Sequence, residues 1–213
     1  MKTLALLALL IPMGSSYGAS IINATSTTLY QSATNDPMHL GNSYSNLFEA
    51  GAYSKNYAMV TIAYWDVSTF TTEQLQTSNF SLSVKLTAIS SQPANLNIDY
   101  LGTFADTTSS LSRYLAHSLK SFPDVLTSSA SSGSKVFNVS SISEDQFTSR
   151  YVAFRFYQTG YLSGDSTTRE YYFSSNLSDN QLAVAAIPEP GTFTLYGAAL
   201  IVLSLGALKR KRS

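Results

Sequence analysis

The stretch YAMVTIAYWDV, residues 57–67, is apolar on both faces that a β-strand presents, with Val60, Ile62 and Tyr64 on one and Met59, Ala63 and Trp65 on the other. Successive side chains of a strand point to opposite sides, and a surface strand carries polar residues on one of them. A strand with two apolar sides belongs between two packed layers. Residues 57–67 are therefore expected at the centre of the fold, with Trp65 in its core.

Outward from that strand the pattern changes to strict alternation. Leu82, Val84, Leu86 and Ala88 alternate with Ser81, Ser83, Lys85 and Thr87, and Val152, Phe154 and Phe156 alternate with Ala153, Arg155 and Tyr157. This is the mark of strands with one buried face. Further strands are expected at residues 22–30, 95–101, 136–139, 170–174 and 181–186, separated by turn formers such as Asn35-Asp36-Pro37, Ser131-Ser132-Gly133 and Ser163-Gly164-Asp165. Between residues 20 and 187 Ser and Thr make up 49 of 168 positions and Tyr another 12, a composition suited to pleated, half-solvated surfaces. One stretch departs: Leu111, Tyr114, Leu115, Ser118, Leu119 and Phe122 are spaced as a helical stripe that Pro123 ends. Residues 127–135, rich in Ser, read as a mobile loop. The expected fold class is all-β, an antiparallel β-sandwich of jelly-roll type with one short helix.

Both termini read as topogenic segments. Lys2 precedes a mostly Leu and Ala run over residues 3–13 and a small, polar stretch, the layout of a signal peptide over residues 1–19. At the other end residues 191–208 carry no charge, and as a helix they span about 27 Å, close to the ~30 Å hydrocarbon core. Lys209, Arg210, Lys211 and Arg212 follow and are expected to stay on the cytoplasmic side. Pro188 and Pro190 separate this single transmembrane helix from what precedes it. The domain reading is a signal peptide at 1–19, an exported β domain at 20–186 and a sorting segment at 187–213.

Pro188-Glu189-Pro190, the apolar span at 191–208 and the basic cluster at 209–212 together resemble the PEP-CTERM sorting signal of Gram-negative bacteria. The resemblance implies export through the Sec translocon and an inner-membrane intermediate. It also implies recognition by an exosortase, a membrane-embedded cysteine transpeptidase, and delivery to the cell surface or an exopolysaccharide matrix. Pro188, Glu189 and Pro190 would then be a substrate motif and not catalytic groups. A second resemblance runs through the exported part, over residues 28–30, Gly41-Asn42-Ser43, residues 62–68, Phe137-Asn138-Val139-Ser140 and residues 173–177. In that order they are similar to extracellular jelly-roll modules of the DNRLRE type, some of which are alginate-binding carbohydrate-binding modules. Asn138 stands where that pattern has Asp, and Leu177 where it has Glu.

The exported residues hold 12 Asp and Glu against 8 Lys and Arg, a net charge of −4 that offers no attraction to nucleic acid. Cysteine is absent, so the fold rests on its core without disulfides. His39 and His117 have no partner at transition-metal spacing, and the G-x-S-x-G match at residues 14–18 lies in the signal peptide. Asp66, Asp99, Glu144, Asp145, Asp165 and Glu170 are the carboxylates from which a glycosidase pair would be drawn. No cofactor and no resident metal are expected. Were an ion bound, it would be Ca²⁺, held by Asp165 and Glu170 or by Asp36 with Asn35 and Asn42. Tyr44, Tyr53, Tyr157, Tyr161 and Tyr171 are the candidates for stacking on a sugar ring. The functional expectation is a non-catalytic surface or matrix protein that contacts extracellular polysaccharide. The alternatives are a polysaccharide-binding module for an alginate-like glycan and a polysaccharide-active enzyme with an unrecognised carboxylate pair.

Overall fold

The computed structural model describes residues 19–33, 36–53, 57–90, 95–127, 129–139, 147, 149–158 and 169–186. The expected signal peptide up to residue 18, the sorting motif, the apolar span and the basic tail lie outside them. A compact unit covers Ala19–Ala185. It is all-β and antiparallel, with eleven strands among the described residues. In chain order these are β1 Ser20–Ala33, β2 Asp36–Ser45, β3 Glu49–Tyr53, β4 Tyr57–Asp66, β5 Ser78–Ile89, β6 Leu96–Phe104, β7 Lys120–Leu126, β8 Gly133–Asn138, β9 Tyr151–Gln158, β10 Arg169–Phe173 and β11 Gln181–Ala186.

The strands form one hydrogen-bonded system folded into two layers. The front layer runs β2-β1-β4-β9-β6-β7, and the back layer contains β11, β5, β10 and β3, with β8 added to β5. Two strands make the corners. β1 pairs through Ser20 to Asn23 with β11 and from Ala24 onward with β4, with a register shift between Ala24 and Ser26. A bulge bends its strand, and here it marks the point where β1 passes from the back layer to the front. β3 makes the opposite corner, pairing with β10 on one side and β4 on the other. The ladders therefore close through β1, β11, β5, β10, β3 and β4, which leaves those inner edges paired.

Between the layers lies a core that includes Phe48, Ala63, Trp65, Leu82, Val84, Leu86, Phe154, Phe156 and Phe173. Aromatic contacts tie it across elements: the ring centroids of Phe48 and Phe173 lie 4.5 Å apart, those of Phe48 and Phe156 4.7 Å, and those of Trp65 and Phe154 5.7 Å. A second cluster sits on the outer face of the front layer and contains Tyr30, Val60, Ile62, Tyr64, Leu101, Tyr114 and Ala153. Thus β4 is apolar on both faces because both are covered, Ala63 and Trp65 on the inner side and Val60, Ile62 and Tyr64 on the outer. The cover is the β6–β7 connection, which carries the short helix α2 (Leu111–Tyr114) and packs the Tyr114 ring 5.8 Å from that of Tyr30.

Four strands and two helices differ from the sequence reading. The helical stripe continues only to Tyr114; Phe122 and Pro123 belong to β7, an edge strand, where a missing N–H is tolerated. β2 begins at Asp36-Pro37, inside residues expected as a turn, and is likewise an edge strand whose register slips near Ser32. β3 is short and contains Ala50, Gly51 and Ala52, too small to show alternation. Lys135, expected in a loop, lies in β8. A second short helix, α1 (Thr72–Gln76), is held by a capping box in which Thr71 and Gln74 each accept the other's backbone N–H.

Candidate functional site

Two acids are deeply buried among the described residues, Asp99 of β6 and Glu170 of β10, and their surroundings are built differently. On the front layer Phe154 and Phe156 face the core, so Arg155 and Tyr157 face outward beneath the cover, with Asp99 of β6 directly opposite Arg155. Asp99 is 2% exposed. Its Oδ2 accepts from Nε of Arg155 at 3.2 Å and also from Nη2, while Oδ1 accepts from the hydroxyls of Ser121 at 2.7 Å and Tyr157 at 3.3 Å. Nη1 of Arg155 donates onward to the carbonyls of Tyr114 at 3.0 Å and Ala116 at 3.1 Å. The ion pair therefore clasps the cover to the sheet, and its charges and hydrogen bonds are matched. A second cation, Arg113, pairs with Asp106 and stands over the rings of Phe104 at 4.9 Å and Tyr64 at 5.5 Å, which fixes the other end of the same cover.

On the back layer the counterpart is Glu170. Tyr171 and Phe173 of β10, Phe48 just before β3 and Ala50 within it belong to one core cluster, and strand alternation turns Glu170 and Tyr172, with Glu49 and Gly51, to the opposite side of these strands. Glu170 stands opposite Gly51 and Tyr172 opposite Glu49, so the two glutamates are diagonal neighbours on one face, at a Cβ spacing of about 7 Å. Glu170 has no exposed surface, and neither of its carboxylate oxygens has a hydrogen-bond partner. Its backbone is fully engaged: the N–H donates to Oγ of Ser90 at 2.7 Å and the carbonyl accepts from the Ser90 N–H at 2.9 Å. Burial pushes the Glu170 carboxyl up to about 7, and the charge of Glu49 adds to that. Glu49, half-buried, is raised in the same direction by burial. Glu170 was among the carboxylates named from the sequence, but Glu49 was not, because only the β3–β10 ladder brings them together.

The stacking candidates do not assemble into one platform. Tyr171 is fully buried in the core, its ring 6.5 Å from that of Phe173 and its hydroxyl pushed up to about 12 by burial, which corrects its placement among surface rings. Tyr157 is half-buried, with the Arg155 guanidinium 5.6 Å from its ring. Tyr44 on β2 is 39% exposed, but it stands opposite Leu29 and so lies on the other face of the front layer from Tyr30 and Tyr157. Tyr53 ends β3. Tyr161, Asp165, Glu144 and Asp145 lie outside the described residues, as do Asn35, the sorting motif Pro188, Glu189 and Pro190, and the basic Lys209, Arg210, Lys211 and Arg212.

Asp66 is a surface group: burial opposes its charge, but Arg150 and Ser68 bond it and hold it below its ordinary value. Among the described residues no three His, Cys, Asp or Glu side chains gather, and no helix is long and apolar enough to cross a membrane. No family model matches the chain, and no curated protein matches it.

Proposed function

We propose that this is a non-catalytic exported protein, delivered by exosortase-type processing to the cell surface or an exopolysaccharide matrix, where its jelly-roll-like β unit is displayed. The observation that carries the reading is the way the unit begins and ends. Ser20 pairs with Val184, so the first residue of β1 and the last turn of β11 lie side by side at one corner. The sequence that follows β11 opens two residues later on Pro188-Glu189-Pro190, and the expected signal peptide ends just before β1. Removal of both terminal segments would leave the β1–β11 ladder whole. Display also suits the polar face of β5, where Ser81, Ser83, Lys85 and Thr87 alternate with the core residues Leu82, Val84 and Leu86.

The enzymatic alternative draws no support from the glutamate pair. A general acid must touch the glycosidic oxygen, and Glu170 has no surface to offer. An aromatic glycan platform is likewise not favoured by Tyr44 and Tyr157 on opposite faces. Intact mass of the protein from the membrane and extracellular fractions tests the proposal. The expected extracellular species lacks residues 1–19 and ends near Pro188. Recovery of the Lys209–Arg212 cluster in every fraction defeats it.

A further inference from the structure

We infer that Glu49 and Glu170 form a divalent-cation site of the calcium class at the β3–β10 ladder. A carboxyl cut off from water and left without any donor is costly as an anion, and as an acid it leaves its own O–H and its acceptors unmatched. Native proteins rarely leave both oxygens of such a group without a partner. The usual remedy is a cation, as Arg155 provides for Asp99. Among the described residues no Lys or Arg pairs with Glu170 or Glu49. The second carboxylate nearby makes the need greater, because Glu49 adds repulsion where attraction is required.

The local geometry suits an ion. Gly51 directly opposite Glu170 places no side chain there, and the diagonal position of Glu49 lets two three-torsion side chains converge on one point. Together they offer four hard oxygens, the donor type that calcium prefers at 2.3–2.6 Å. Two carboxylates and a flexible shell suit calcium better than magnesium, which demands a near-ideal octahedron. With so few protein ligands the affinity belongs with extracellular modules, at a Kd of about 10⁻⁴–10⁻³ M. The inference stands independently of the sorting proposal.

Thermal unfolding of the full-length chain in detergent, followed by circular dichroism in EDTA and in 10 mM CaCl₂, tests it. Calcium at that concentration raises the unfolding midpoint by about 3–10 °C. Glu170→Gln and Glu49→Gln, checked for an unchanged β spectrum, lose the shift. A midpoint that calcium does not move, or a shift kept in Glu170→Gln, overturns the inference. Terbium luminescence gives a readout that does not rely on unfolding, since Tyr172 stands opposite Glu49 and can sensitise a bound ion. Calcium-displaceable emission in the wild type that vanishes in Glu49→Gln supports the site, and equal emission from both overturns it.

Discussion

Asp99 and Glu170 are both buried carboxylates, one on β6 and the other on β10, yet one has four donated hydrogen bonds and the other has none. The difference lies in what surrounds each sheet. The front layer is covered by the β6–β7 connection, which brings the carbonyls of Tyr114 and Ala116 to Arg155, while Ser121 of the neighbouring β7 stands opposite Asp99, so cover and ladder together complete the network. At the β3–β10 ladder no side chain donates to either oxygen of Glu170. A buried charge matched by its own chain is architecture; one left unmatched points to something from outside.

The largest expected effect comes from breaking the matched side. Asp99→Ala leaves the Arg155 guanidinium buried with carbonyls alone, and loss of one partner of such a pair costs about 3–5 kcal/mol. The unfolding midpoint should fall by about 10 °C, while the double variant Asp99→Leu/Arg155→Met should recover most of the loss. A single-variant cost below about 1 kcal/mol would mean that the clasp is not what holds the cover.

The next effect is a pH dependence from the unmatched side. The Glu170 carboxyl titrates near 7 in the folded chain and in the ordinary range near 4.5 when unfolded. The folded state therefore binds the extra proton, so stability is fully present below about 4.5, falls as pH rises to about 7, and stays reduced above it. Without added cation the loss approaches ~3 kcal/mol. Urea unfolding in EDTA from pH 5 to pH 8 reads it directly, and Glu170→Gln should flatten the profile. Glu49→Gln should lessen the slope, since it removes the neighbouring repulsion. Tyr157→Phe, which removes one donor to Asp99, should cost about 0.5–1.5 kcal/mol. Smallest of all, Lys85→Ala breaks an exposed pair with Asp179 and should leave the midpoint within about 2 °C of the wild type.

What the residues disclosed in advance follows from how strongly each burial pattern is written. The two apolar faces of β4 and the alternation in β5 and β9 were legible because whole rows of Val, Leu and Phe are placed by sheet period. β3 was not, since Ala50, Gly51 and Ala52 bury too little to write a pattern, and with it went Glu49 as the neighbour of Glu170. β7 was hidden by Pro123, which argues against a strand everywhere except at an edge. The Thr71 to Gln74 capping box is the local signal for α1 in the sequence. Asp99 and Glu170 looked alike as letters, and only the ladders set one opposite an arginine and the other opposite a glycine.

Carbon-detected NMR of the side-chain carboxyls, titrated from pH 4 to pH 9 in EDTA and again in calcium, tests the contrast most directly. The account predicts a Glu170 resonance that titrates near 7 without calcium, ionises at lower pH with it, and an Asp99 resonance that calcium leaves in place. A Glu170 carboxyl that titrates in the ordinary range near 4.5 and ignores calcium would contradict it.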